Sequence, residues 1–321
     1  MKKEQKKKGQ WQQWLFMGFF VLLGALCGFL MVGFLEQQAA DDRSLLKRLL
    51  LLGALFIGLY ISIFLQLVIH EAGHLVFGLR SGYRFSSFRI GSILWLKQNG
   101  RIVCRRLSLV GTGGQCLMVP PQMQDGKIPV ILFNLGGSIM NMAAGAVFLI
   151  IYLLIPGGTI LSLFCLVTAL IGFALALGNG IPLHMGAVNN DGSNALSLGQ
   201  HPDAMRAFWL QLKVNEQTVN GIRLKDMPEE WFALPDDKDM KNSIIAAIAV
   251  FACNRLMDEH RFAEAEELMR KYIKMDSAII GLHYRLMTCD RIFLSLIGVI
   301  DEEKADAVLI AGDVYDKSVP S

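Results

Sequence analysis

"LQLVIHEAGHLVFGLR", residues 65–80, sets His70, Glu71 and His74 inside an otherwise apolar run. Two imidazoles and a carboxylate are costly to place in lipid or in a dry core unless something pairs with them. Read as a helix, the run projects His70 and His74, four positions apart, from one face. The pattern H-E-x-x-H then lets both rings bind one Zn²⁺ while Glu71 reaches a water that the metal activates. Two histidines merely hydrogen-bonded within a helix bundle is the plainer account. An apolar helix makes that account expensive, because an ionisable residue there is functional by default.

The surroundings of this run are those of a membrane protein. Of 321 residues 53% are apolar and 18% charged, and the mean hydropathy is +0.41. The apolar residues are grouped into four stretches, at about 14–35, 47–79, 129–155 and 158–180. Each approaches or exceeds the roughly 20 residues a helix needs to cross ~30 Å of hydrocarbon. The first is too long for the apolar part of a signal peptide and no small-residue cleavage site follows it, so it reads as a retained anchor. Trp11 and Trp14 at its start suit an interfacial belt.

Charge divides the chain. Residues 1–199 carry 16 Lys and Arg against 7 Asp and Glu, whereas residues 200–321 carry 15 against 21. The excess thus changes from basic to acidic near residue 200, where a change of solvent is expected. The predicted organisation is a basic N-terminal tail (1–13), a membrane-embedded domain (14–199) and a soluble helical domain (200–321). Five lysines precede the first span and eight Lys or Arg lie between the second and third, whereas the loop "EQQAADDRS" is acidic. The positive-inside rule then places both termini and the 80–127 segment in the cytoplasm, although Arg43, Lys47 and Arg48 pull the other way. The basic clusters flank apolar spans, so topology explains them and no nucleic-acid partner is implied. The six cysteines form no C-x-x-C pair and read as reduced, inert thiols. Short loops and a Lys-rich start fit a multi-pass protein of a bacterial plasma membrane.

Between the second and third spans, "FRIGSILWLKQNGRIVCRRLSLV" is rich in β-branched and aromatic residues and is broken by Asn99-Gly100. That dipeptide favours a two-residue turn, so a single β-hairpin is predicted over about 85–110, at the cytoplasmic interface. "GTGGQC" (111–116) follows as a flexible stretch that permits close backbone approach. In the soluble part, residues 245–274 read as two amphipathic helices with a turn near Glu259–Arg261. "HRFAEAEEL" matches the turn and second helix of a tetratricopeptide repeat, and a generic helical hairpin accounts for it equally well.

A catalytic zinc normally takes three protein ligands and keeps one position open. His184, His201, His260 and His283 are candidates for the third, but the last three fall in the soluble part. Asp191 is better placed. It follows the fourth span in "GNGIPLHMGAVNNDGSN", which contains no other acidic residue, so topology returns it to the side of His70 and His74.

With these residues the chain resembles the site-2 protease family of intramembrane zinc metalloproteases. That family joins H-E-x-x-H to a later N-x-x-P … D-G motif that supplies the third ligand. Here Asn179-Gly-Ile-Pro182 precedes Asp191-Gly192, and Gly137-Ser-Ile-Met-Asn141 is similar to the family's G-x-x-x-N element. The resemblance covers about residues 45–200. It departs in spacing: nine positions separate Pro182 from Asp191, where five are usual, and Asn190 stands where an apolar residue is common. The four extra residues equal about one helical turn, which would preserve the facing of Asp191.

The resemblance implies one Zn²⁺ per chain held by His70, His74 and Asp191, with Glu71 as general base. It implies an endopeptidase that cuts a membrane-inserted peptide or single-span protein near the cytoplasmic face. A substrate helix hides its carbonyls in hydrogen bonds, so such an enzyme must hold the substrate extended. The hairpin and Gly113-Gly114 are expected to pair with unwound substrate as an added strand. Asn141 and Asn179 are expected to bond either its freed carbonyls or neighbouring helices. The soluble domain would bind a cytosolic protein partner. A competing reading is a catalytically silent receptor or adaptor that keeps the fold. A transporter with an intramembrane metal site is weakened by only four spans and no visible inverted repeat.

Overall fold

The computed structural model describes residues 2–39, 44–107, 113–183 and 190–298. It divides into two compact units, residues 1–121 with 129–200, and residues 122–128 with 201–321.

The first unit is built on four long helices, α1 (Lys2–Ala39), α2 (Leu45–Arg80), α3 (Ile131–Leu154) and α4 (Ile160–Gly180). All four contain a stretch long and apolar enough to cross a membrane, in α1 from Trp14 to Gln38. These are the four spans expected, within a few residues. At about 1.5 Å per residue α2 is roughly 54 Å long, more than the ~30 Å thickness of a bilayer's hydrocarbon.

The burial pattern of α2 is inverted relative to a soluble helix. Ser62, Gln66, His70, Glu71 and His74 are buried, whereas Ile57 and Tyr60 are 62% and 72% exposed. Positions 62, 66, 70 and 74 repeat every four residues and so form one stripe. That polar stripe faces α3 and α4, and the apolar face is left for lipid. Ser62 Oγ lies 2.7 Å from Thr168 Oγ1, and Gln66 Nε2 donates to the Thr168 carbonyl at 3.0 Å. α2 and α3 approach closely at Gly73 and Gly136, where either Cβ would strike the opposite backbone.

Between α2 and α3 the structure has four strands rather than one hairpin. β1 (Arg84–Ile90), β2 (Ile93–Gln98), β3 (Arg101–Arg106) and β4 (Gly114–Val119) form an antiparallel sheet in the order β3-β2-β1-β4. The Asn99-Gly100 turn joins β2 to β3, with φ of 50° and 79° at its two residues, as a primed two-residue turn requires. The expected hairpin is therefore β2–β3. What the periodicity conceals is a second turn at Gly91-Ser92, with Gly91 at φ 56°, which splits β1 from β2. Residues 114–116 of the glycine stretch are strand, paired to β1, with Ile90 opposite Gly114.

α5 (Asp191–Gln200) closes the first unit. α4 ends at Gly180, so Asp191 is carried by a separate helix and not by an extra turn of α4. The second unit contains α6 (Pro202–Val219), α7 (Ser243–Asp258), α8 (Phe262–Lys274) and α9 (Gly281–Leu296). Its apolar centre includes Met240, Val250, Met269, Tyr272, Met287 and Leu294, all at most 1% exposed. The α7–α8 turn is Glu259–Arg261, with His260 at φ 60°. All six cysteines are free, and burial pushes the thiols of Cys116 and Cys253 up to about 12.

Candidate metal centre

α2 presents His70 and His74 on its buried stripe, and each ring is oriented through its Nδ1. His74 Nδ1 lies 2.8 Å from the Phe133 main-chain carbonyl, which only accepts, so this nitrogen carries the proton. His70 Nδ1 lies 2.7 Å from Asn141 Oδ1. Asn141 Nδ2 donates to the Gln66 main-chain carbonyl and to Gln66 Oε1, both at 2.8 Å. Because a main-chain carbonyl must be met by N–H, the Asn141 amide can face only one way, and its oxygen is turned to His70. His70 Nδ1 is therefore the donor. Both rings are left with bare Nε2 atoms.

These two nitrogens meet Asp191. Asp191 Oδ2 stands 3.1 Å from His70 Nε2 and 3.4 Å from His74 Nε2, and the two Nε2 atoms are 3.2 Å apart. Three acceptors facing one another at such distances form a set that one cation among them would satisfy. Three ligands of a tetrahedral zinc at ~2.0–2.1 Å stand roughly 3.3–3.4 Å apart, which this triangle matches. The His70, His74 and Asp191 set is the group among the described residues with metal-ligand spacing.

Two glycines make room for these side chains. A Cβ at Gly137 would stand 2.5 Å from the His70 ring, and Asn141, one turn further along α3, bonds that same ring. The G-x-x-x-N element is thus one device: space for the imidazole, then a hydrogen bond to it. A Cβ at Gly114 would stand 2.6 Å from Glu71 Oε1, so β4 passes directly against the carboxylate. Gly113 is likewise pressed on Leu67.

A family model described as peptidase family M50 matches residues 58–312. The chain belongs to peptidase family M50. Comparison with curated proteins and with solved structures returned no match. This is the site-2 protease family that the motifs resemble, and the match extends through the second unit. M50 proteases are zinc-dependent, and the three-residue set fits that metal.

The remaining expected residues of this M50 chain fall as follows. Both N–H groups of Asn141 are committed to Gln66, which leaves none for a substrate carbonyl. Asn179, half-buried, donates to Leu175 within its own helix at 3.1 Å. His201, His260 and His283 belong to the second unit, and His184 lies outside the described residues. Two participants went unnoticed in the sequence. The Phe133 carbonyl has no signature, since any residue offers one. Gln66 did leave a signal, an amide one turn before His70 in an apolar helix.

Proposed function

We propose that this M50 peptidase is an intramembrane zinc endopeptidase that cuts membrane-inserted peptides or single-span proteins near the cytoplasmic face. The observation that carries the reading is the His70, His74 and Asp191 triangle with Glu71 beside it, on helices apolar enough to cross a membrane. Zinc held there supplies a Lewis acid that lowers the pKa of water toward about 7. Glu71 takes a proton from the water that attacks the scissile carbonyl and delivers it to the departing amine as the C–N bond breaks. Asn141 and the Phe133 carbonyl keep the two imidazoles in one tautomer throughout.

The substrate must be unwound to react, and β4 offers it a partner. β4 is an edge strand of the sheet, with Gly114 against Glu71. An extended substrate added at that edge would bring its backbone to the carboxylate. Gly114→Ala is expected to leave zinc content unchanged and to lower kcat by about 10²-fold, because the methyl displaces Glu71; metal analysis beside a peptide cleavage assay checks it. We place both termini in the cytoplasm of a bacterial cell. The second unit is then a cytosolic helical domain, with α7–α8 as a tetratricopeptide-like pair, that recognises or regulates a protein partner.

The function is tested with full-length protein in liposomes and a membrane-inserted reporter peptide. Cleavage is expected to stop on treatment with 1,10-phenanthroline and to return on adding zinc. Cleavage that survives complete metal removal, or none at any zinc concentration, would sink the reading; the second result would favour a silent adaptor.

A further inference from the structure

Asp191 is separated from α4 by a break in the helix, yet its carboxylate meets both histidines. We infer that Asn190 is the positioning residue that fixes it there, an inference resting on the zinc-site reading above. The side chain of Asn190 is 9% exposed, and all its hydrogen-bonding capacity is engaged. Its Nδ2 donates to the carbonyls of Gly178 and Ile181 at 2.8 and 2.6 Å. Its Oδ1 accepts from the main-chain N–H of Leu183 and of Ser193 at 3.1 and 3.0 Å. An amide has two donors and two acceptor sites, and here each has a partner.

The sequence shows why an amide is needed. Gly178 lies four residues before Pro182, which has no N–H, so the last turn of α4 lacks the bond that would satisfy the Gly178 carbonyl. Gly178 is buried, and an unpaired carbonyl there would be costly. Asn190 supplies the missing donor. With its other end it caps α5, since Ser193 is the third residue of that helix and its N–H is an orphan that an N-cap oxygen satisfies. The Asn190 carbonyl takes the first helical bond, from Asn194 at 3.0 Å. Ser193, 1% exposed, adds a bond from its Oγ to the Leu183 carbonyl at 3.0 Å.

One side chain therefore ties the end of α4 to the start of α5. Asp191 is the next residue, the first of α5, and inherits its place from that tie. An apolar residue before the Asp could do neither half. The nine-residue spacing from Pro182 to Asp191, which departs from the usual pattern, is compatible with a zinc site because the amide spans it. Asp191 supplies the third ligand; Asn190 touches no metal and acts through its neighbour.

The experiment compares full-length wild type, Asn190→Leu and Asn190→Asp in detergent. Zinc affinity is read by chelator competition, the ligand set by the visible spectrum of the Co²⁺-substituted protein, and folding by apo-protein thermal unfolding. Asn190→Leu is expected to weaken zinc about 10–100-fold, as loss of an orienting partner does, and to alter the Co²⁺ bands. Asn190→Asp keeps the cap but lacks the donors to Gly178 and Ile181. It should stay folded and bind zinc about tenfold more weakly. Wild-type affinity and an unchanged Co²⁺ spectrum in either folded variant would overturn the proposal. Peptide cleavage is not the readout, so the two ideas fail separately. A wild type that binds zinc and cuts nothing refutes the peptidase reading alone, and variants that bind zinc normally refute the role of Asn190 alone.

Discussion

Glu71→Gln is expected to reduce peptide hydrolysis by about 10²–10⁴-fold, the usual contribution of a positioned general base, with one zinc per chain retained. The separation follows from geometry. Glu71 is not among the three groups with ligand spacing, and its carboxylate lies against Gly114 on β4. The amide is nearly isosteric, so it fits the same slot under β4 and leaves the His70 and His74 rings where Asn141 and Phe133 hold them. What it cannot do is accept a proton at neutral pH. Cleavage of a membrane-inserted reporter by purified variant, with metal content measured on the same sample, checks this. Full activity would remove Glu71 from the mechanism. Zinc lost together with activity would instead make it a ligand. Comparing membrane peptides in cells with wild-type and variant protein then identifies what accumulates, and so the substrate.

The sequence reveals those parts of the site whose chemistry sits in contiguous residues. H-E-x-x-H on an apolar helix is legible because both its chemistry and its cost are carried by residues a turn apart. The four apolar helices are legible for a related reason, since length and composition decide them without reference to any partner. The sheet was harder. A single turn dipeptide, Asn99-Gly100, announced one hairpin, while Gly91-Ser92 ended β1 with no comparable signal. Glycines 113 and 114 suggest flexibility in the sequence, but the backbone entering β4 is small there because Leu67 presses on Gly113 and Glu71 on Gly114. Asn141 illustrates the other limit. A buried amide can serve a substrate, a helix or a ligand, and only the positions of Gln66 and His70 show where its three bonds go. Asn190 stood out only as a departure in a motif; its four partners are spread from residue 178 to 193, and no local pattern joins them.

Asp191→Ala is expected to cost more zinc affinity than loss of any orienting partner, so more than about 10–100-fold, and to abolish cleavage. The two imidazoles are neutral when they bind metal through Nε2, and Asp191 is the only charge of the set. Removing it leaves a divalent cation with two neutral ligands in a low-dielectric surrounding, where the lost attraction is large. Asp191→Asn tests the charge by itself. It keeps the shape and the first position of α5, and is expected to bind zinc more weakly than wild type but more tightly than the alanine variant. His184→Ala is the decisive companion, because His184 is the other candidate left by the sequence and lies outside the described residues. It is expected to keep wild-type zinc affinity and the Co²⁺ spectrum of a site with two nitrogen ligands and one oxygen. If His184→Ala loses zinc and Asp191→Ala does not, the 3.1 and 3.4 Å approaches of Asp191 to the histidines are no more than ion pairs with protonated rings. The bare Nε2 atoms argue against that outcome. A ring that donates from Nδ1 becomes a donor at Nε2 only by taking a second proton, whereas a metal satisfies both rings and the carboxylate at once.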